Sequence, residues 1–361
     1  MTRVPMTAVT LESLKRFVFD ILQAMGLPDE EAEIFGSALV FSELRFHPGH
    51  GQGVKKLRRY WGRFAEGGID PGAPWEIVKE SPALALVDAN NGIGTVAATR
   101  AMRLAIEKAK VCGIGQVIVR NSTHFGSSAV HACLGAEAGC IGIAMTNAGP
   151  EMAPWGGREG VVGTNPWGIA VPTGLGFPAV LDIALTTAGK GMMNWHAAEG
   201  WPIPRDWALT PEGEETDDPR AAMAGALLGI GQYKGYGLAF MTDVLTGVIG
   251  GGGYGLTPYA DPKKWDVSHT LMAIDIEWFM PLDEFRRRMD DFAEMVKSRA
   301  LRPGFDEILI PGEQEARRVA RKLEVGVPLE DAALKDLRSL AEELGVDTDV
   351  DIAGPWEDDR L

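Results

Sequence analysis

A histidine stands between small polar residues and a glycine in the run Arg120-Asn121-Ser122-Thr123-His124-Phe125-Gly126, directly after the apolar Val117-Ile118-Val119. The pattern predicts a strand that delivers an imidazole into a loop, where it can exchange a proton with something bound. Histidine suits that task because its unperturbed pKa, about 6.5, lets it give and take protons near neutrality. His124 is therefore the candidate catalytic residue, although on spacing alone a structural or surface histidine fits the same run.

A second candidate for chemistry is Gly92-Ile93-Gly94-Thr95-Val96-Ala97, a GxGxxA between an apolar strand and a helix. That is the setting of a dinucleotide fingerprint, in which the helix N-terminus offers unpaired N–H groups to a pyrophosphate. The next strand ends in Arg120 rather than in an acidic residue for the ribose hydroxyls, and an arginine there suits a 2′-phosphate. The glycines serve a tight packing turn equally well. The run Gly250 to Gly253 has the same two readings, phosphate cradle or flexible connector.

The elements that must position these groups follow from periodicity. Leu14, Phe17, Val18, Ile21, Leu22 and Met25 recur at three and four residues behind Thr10, which predicts an amphipathic helix. Gly26-Leu27-Pro28 ends it, and helices over 29–44 and 55–66 follow. From Trp75 the texture changes to short apolar runs at 83–88, 116–119, 141–145 and 169–172, separated by predicted helices over 94–111 and 127–138. Later helices are expected over 236–247, 282–300 and 313–344, with a strand over 307–310. Alternating strands and helices make this an α/β or α+β chain. The expected division is 1–70 as a helical part packing with 313–361, 71–140 plus 282–312 as a sheet and helix core, and 141–281 as a cofactor-binding domain.

The chain has 361 residues, enough for a sizeable core, with 45% hydrophobic and 24% charged residues. No stretch approaches the roughly 20 apolar residues of a membrane helix. Met1 to Thr10 lacks a basic region followed by an apolar core, so no secretory signal is read and the cytoplasm is the expected compartment. A formal charge of −15 disfavours nucleic acid as a partner. Cys112, Cys133 and Cys140 have no zinc-type spacing and read as reduced thiols, and no metal site is expected.

Five further motifs stand in order: Met145-Thr146-Asn147-Ala148-Gly149-Pro150, Pro154-Trp155-Gly156-Gly157, Gly163-Thr164-Asn165-Pro166, Leu181-Asp182-Ile183-Ala184 and Lys234-Gly235-Tyr236-Gly237-Leu238. With His124's run they resemble the second type of malate/L-lactate dehydrogenase family. That family includes ureidoglycolate and sulfolactate dehydrogenases, diketogulonate reductase and reductases of piperideine- and pyrroline-carboxylate. The resemblance extends from the first helix to Pro311-Gly312-Glu313. It implies a non-Rossmann NAD(P)-binding fold with a mixed, largely antiparallel central sheet flanked by N- and C-terminal helices. It also implies cofactor contacts at Ala148, Asp182, Ile183, Ala184, Lys234, Gly312, Glu313 and Gln314, and a homodimer. Outside the resemblance, Lys234 reads equally as a partner of a surface carboxylate, and Asp182 as a strand terminator. NAD and NADP both remain open, and Glu313 tilts the choice slightly toward NAD because an acid disfavours a 2′-phosphate.

The family's substrate motif, Arg-Gly-x-x-Ser-His-Gly-Val-x-Arg-Leu, matches imperfectly. Here the text is Arg45-Phe46-His47-Pro48-Gly49-His50-Gly51-Gln52-Gly53-Val54-Lys55-Lys56-Leu57. Counted forward from Arg45, His50 takes the histidine's place; counted backward from Leu57, Gln52 takes it and Lys56 takes the arginine's. The substrate-binding candidates are thus Arg45, His50, Gln52 and Lys56. An ammonium at 56 cannot make the two parallel hydrogen bonds of a guanidinium to a carboxylate. Gly189-Lys190 also arrives about two positions early against the family pattern, so Lys190 receives no role. The reaction implied is hydride transfer between a nicotinamide and a 2-oxo or 2-hydroxy acid, with His124 as proton donor and acceptor. The alternatives are reduction of a cyclic imine, and a relative that binds without catalysing.

Overall fold

The computed structural model describes residues 5–46 and 52–356. Contacts divide the chain into two units, Met1–Gly72 with Glu313–Leu361, and Ala73–Gly312. The first unit opens with β1 (Met6–Val9), α1 (Leu11–Ala24), α2 (Asp29–Arg45) and α3 (Leu57–Ala65). The second holds β2 (Glu76–Glu80), β3 (Leu84–Asp88), α4 (Gly94–Cys112), β4 (Ile114–Ser122), α5 (Ser128–Glu137) and β5 (Cys140–Thr146). It continues through β6 (Trp167–Val171), β7 (Ala179–Ile183), α6 (Lys190–Glu199), α7 (Pro219–Ala224) and α8 (Tyr233–Asp243). It ends with β8 (Val267–Asp275) and α9 (Leu282–Lys297). The chain then returns to the first unit as α10 (Glu313–Val325), β9 (Val327–Glu330), α11 (Asp331–Leu344) and β10 (Ile352–Pro355).

In the first unit α1 buries the predicted face, Leu14, Phe17, Val18, Ile21 and Leu22, against α2 and α11. Burying such a side chain stabilises by about 1.5–3 kcal/mol, so this stripe organises the unit. Strands order as β10-β1-β9 in a small antiparallel sheet. Sequence periodicity had predicted one helix over 313–344. Instead Gly326 (φ 102°) and Pro328 interrupt it, since proline has no N–H for a helix interior, and the intervening β9 pairs with β1. The C-terminal end of α2 is closed by the buried Lys322, whose Nζ donates to the carbonyls of Glu43 (2.7 Å) and Phe46 (2.8 Å).

The second unit is built on a seven-stranded sheet of order β2-β3-β4-β8-β5-β6-β7. Only β3 and β4 pair in parallel; the other neighbours are antiparallel, so the sheet is mixed and largely antiparallel as expected. It runs continuously across residue 140, where the sequence suggested a boundary, because β8 inserts between β4 and β5. Residues 307–310, expected as a strand, are irregular and pair with no strand; Glu307 and Leu309 are exposed and Ile310 is buried. Among the described residues no helix is long and apolar enough to cross a membrane.

The three central strands are tied by one buried polar group. His269 of β8 meets Ser122 Oγ of β4 through Nε2 (2.8 Å) and Thr146 Oγ1 of β5 through Nδ1 (2.7 Å). His131 of α5 meets the carbonyl of Phe125 through Nε2 (2.8 Å), so that nitrogen carries the proton and donates, and Nδ1 faces Thr99 Oγ1 (3.3 Å). The Phe125 ring lies 4.9 Å from both imidazoles and is stacked on that of His269. Burial holds His131 down to about 4 and His269 down to about 3. Both are uncharged in the folded chain where an unfolded histidine is protonated. Below pH 6.5 the unfolded state therefore binds more protons, and each site removes up to about 1.4 kcal/mol per pH unit as pH falls toward about 4. The melting temperature is expected to fall through that window, and His269→Gln, melting lower at neutral pH, should lose less between pH 7 and 4.5. A loss equal to wild type in a calorimetric pH series contradicts this.

Candidate active site

Strand directions determine which loops meet. β4 and β5 are each antiparallel to β8, β6 is antiparallel to β5 and β7, and β3 is parallel to β4. β3, β4, β5 and β7 consequently all end at one edge of the sheet. The loops bearing His124, Ala148 and Asp182-Ile183-Ala184 leave from that edge, the side on which open α/β sheets bind ligands.

The His124 loop is fixed from below. Thr123 Oγ1 donates to the carbonyl of Gly92 (2.9 Å) and accepts the N–H of Gly94 (2.9 Å). A Cβ on Gly94 would lie 2.1 Å from the carbonyl oxygen of Thr123, so only glycine permits this approach. The GxGxxA therefore does open a helix between two parallel strands, yet the helix N-terminus is filled by the chain's own threonine, and the motif serves packing. Arg120 is likewise engaged, its Nε donating to Asp88 Oδ2 (3.0 Å), an oxygen that also accepts from Asn121 Nδ2 (2.7 Å). Ser122, Thr123 and Phe125 are buried, whereas His124 is half-buried. The N–H of Gly126 donates to His124 Nδ1 (3.2 Å), which requires an unprotonated Nδ1 and hence an uncharged ring.

Asp182 ends β7 and turns its carboxylate toward α5. Oδ2 accepts from Ser127 Oγ (2.6 Å) and from the N–H of Ala129 (3.1 Å), an anion at the positive end of a helix. The side chain is thus committed to structure, three residues beyond His124. Asn165 (φ 36°) ties two other loops together: Oδ1 accepts the N–H of Ala148 (2.9 Å), and Nδ2 donates to the carbonyl of Ala239 in α8 (2.8 Å). The first turn of α8 is joined to the chain after β7 through Ile230, whose N–H donates to Leu185 (2.9 Å) and whose carbonyl accepts from Gly235 (2.9 Å). A Cβ on Gly235 would lie 2.4 Å from the carbonyl of Leu185, so the contact depends on glycine. Lys234 is exposed in this turn, and its ammonium has no ion pair among the described residues. Finally, Val180 N–H donates to the Pro311 carbonyl (3.0 Å), which brings Gly312 beside β7. Ala148, Asp182 to Ala184, Lys234 and Gly312 are thereby brought into one hydrogen-bonded neighbourhood.

Other marked residues do not join it. Gly252 N–H donates to Gly247 (3.0 Å), and Gly253 accepts from Asn147 Nδ2 (2.6 Å), so the glycine run is a packed connector. Lys190 pairs with Glu151 at 3.6 Å. Among the described residues no group of three or more histidine, cysteine, aspartate or glutamate side chains is gathered for a metal.

In the first unit, the Lys56 ammonium donates to Gln52 Oε1. Burial, with Arg59 and Lys55 nearby, pushes Lys56 down to about 7. The Gln52–Val54 turn is anchored because Val54 N–H donates to Glu43 Oε1 (2.8 Å), and burial holds that carboxyl above its ordinary range. Arg45 is buried with its guanidinium 5.5 Å over the Phe41 ring, and its Nε has no hydrogen-bond partner. His50 lies outside the described residues. Glu313 accepts from Arg317 Nη2 (2.7 Å), and Gln314 is exposed.

Sequence reasoning noted Asn165 only within a family motif and missed His131 and His269. A histidine inside the apolar run Val267 to Ile274 was the available signal, since an imidazole among strand residues needs partners on the neighbouring strands.

The family model described as malate/L-lactate dehydrogenase matches residues 9–338. Malate dehydrogenase of Pyrococcus horikoshii is 37% identical over 348 residues, which cover 94% of this chain and 96% of that protein. L-sulfolactate dehydrogenase of Methanocaldococcus jannaschii is 36% identical over 338 residues, 93% of this chain and 96% of that one. The crystal structure of malate dehydrogenase from Entamoeba histolytica superposes with a TM-score of 0.91 at 28% identity, covering 95% of this chain and 99% of that one. The chain belongs to the malate/L-lactate dehydrogenase family.

Proposed function

We propose that this protein is a nicotinamide-dependent dehydrogenase of 2-hydroxy acids, with His124 as the group that exchanges the substrate's proton. The observation that carries this reading is a half-buried imidazole at the carboxyl edge of the sheet, on a loop whose neighbouring side chains are all committed to packing. The residues present fit a dinucleotide: the Lys234 ammonium lacks an ion pair among the described residues, and the half-buried Ile183 and Ala184 directly precede Leu185, whose carbonyl accepts from Ile230 ahead of α8. Lys234 would hold a phosphate as a point charge, and Ala148, Asp182 to Ala184, Gly312, Glu313 and Gln314 would line the rest. When bound, the nicotinamide takes a hydride from the carbon that carries the hydroxyl, or returns one to a carbonyl carbon.

His124 does the remaining work. Proton uptake needs a bare nitrogen, and the Gly126 N–H occupies Nδ1, so the uncharged ring gives up that contact as it accepts the hydroxyl proton in oxidation; the protonated ring returns a proton to the oxygen in reduction. His50, or failing it Gln52, would help hold the substrate, with Arg45 and with Lys56 near its anionic end. The choice between NAD and NADP leans to NAD through Glu313, a small preference because Arg317 offsets that charge at 2.7 Å. We also infer a homodimer acting in the cytoplasm on a small-molecule substrate, as the resemblance implies.

His124→Asn is expected to lower kcat by about 10²-fold or more while NADH binding, read by fluorescence, stays within about twofold. Undiminished turnover contradicts the role. Lys56 is half charged near pH 7, so KM for a 2-oxo acid should rise as pH increases from 6.5 to 8.5 and the ammonium is lost. Lys56→Arg, which stays charged, should flatten that rise; a rise unchanged in the variant removes Lys56 from the substrate site.

A further inference from the structure

A buried lysine stands where an apolar residue would pack as well. Lys322 of α10 is 1% exposed in the contact with α2, and its Nζ donates to the carbonyls of Glu43 (2.7 Å) and Phe46 (2.8 Å). An ammonium suits them, since the last carbonyls of a helix lack partners and carry its negative end. The Glu43 side chain serves the far end of the same stretch: its Oε1 accepts the N–H of Val54 (2.8 Å), the first residue of the helical turn Val54–Lys56. A Cβ on Gly53 would collide with that carboxylate, so glycine makes room for it. One lysine and one glutamate thus hold both flanks of residues 47–51, Phe46 where the chain leaves α2 and Val54 where it becomes helical again. Burying two charges carries a desolvation cost that their attraction often fails to offset, and apolar side chains would join α2 to α10 without it.

We propose, resting on the substrate role given to Lys56 above, that Glu43 and Lys322 are positioning residues: they fix the turn from which Gln52 and Lys56 meet the substrate's anionic end, and touch no substrate themselves. Lys56 donates to Gln52 Oε1, which bonds the two side chains to each other and leaves the turn as a whole to be anchored. The Val54 contact supplies that anchor, and Lys55, 3.4 Å from Glu330 Oε1 on β9, adds a looser one. Chemistry explains why this chain needs them. A guanidinium aligns itself on a carboxylate through two parallel hydrogen bonds, whereas an ammonium is a point charge on a flexible stem with no preferred direction. With lysine at 56, the place where the anion is held is set by the backbone beneath it. Glu43 and Lys322 hold that backbone.

Reduction of oxaloacetate by NADH, followed with the full chain, tests this. Glu43→Ala, and Lys322→Met, which keeps the stem and loses the ammonium, should each raise KM by about tenfold or more and leave kcat within about threefold, the split of a residue that acts on binding alone. Glu43→Gln retains an oxygen for the Val54 N–H and should bring KM back to within about threefold of wild type. An unchanged KM in Glu43→Ala or Lys322→Met overturns the positioning role, and so does a Gln variant as weak as the Ala variant. Lys56→Met separates the two readings. If it raises KM while Glu43→Ala does not, the substrate role of Lys56 stands and the positioning role is overturned; if it leaves KM as in wild type, the substrate role falls and takes the positioning role with it. Should Glu43→Ala fail to fold, Gly53→Ala, whose added methyl displaces the same carboxylate, decides by the same rise in KM at constant kcat or by its absence.

Discussion

The immobilisation of the segment Ser122 to Gly126 is the constraint on which the rest depends. Each neighbour of His124 has a separate anchor: Ser122 on His269, Thr123 on the Gly92–Gly94 turn, and the Phe125 ring between two imidazoles with its carbonyl on His131. Those anchors come from α4, α5 and β8, so three elements distant in sequence agree on where one imidazole stands. An acid–base group must be held to within a fraction of an ångström of its substrate atom, and buried, fully partnered polar contacts supply that rigidity better than apolar packing alone. The same burial keeps His131 and His269 uncharged.

Around that fixed point the sheet arranges its loops by direction. The late strand β8 lies between β4 and β5, which α5 joins, and makes those two strands parallel to each other; β6 does the same for β5 and β7. The three loops that carry the proposed site residues are thus aligned at one edge in a sheet that is mostly antiparallel. Asp182 and Asn165 then stitch the loops to α5 and α8. The βαβ unit of β3, α4 and β4 carries a glycine signature and still offers no phosphate site, because Thr123 occupies the helix end.

What the sequence made legible was what depends on local rules. The α4 helix over Gly94–Cys112 and α9 starting at Leu282 follow directly from periodicity and flanking glycine or proline. The five ordered motifs pointed to the loops that the hydrogen bonds bring together. Illegible were features that depend on distant pairing. Residues 327–330 become a strand only because β1 lies beside them, and residues 307–310 fail to become one for want of a neighbour. Asp182 was expected as a cofactor contact, and its Oδ2 accepts from Ser127 and from the N–H of Ala129 at the start of α5.

At the substrate end the Lys56–Gln52 pair replaces the family's guanidinium by an ammonium whose charge burial has made negotiable. In the proposed function that change would tune affinity for an anion and leave the proton transfer assigned to His124 untouched. The most direct test of the central claim is therefore spectroscopic and bears on His124 itself. Side-chain ¹⁵N resonances of the histidines, with His124 assigned by its loss in His124→Asn, should be followed with and without added NAD. The account predicts that the His124 signal shifts on cofactor addition and that those of His131 and His269 stay at their uncharged positions; a His124 resonance indifferent to saturating NAD and to NADP alike would contradict it.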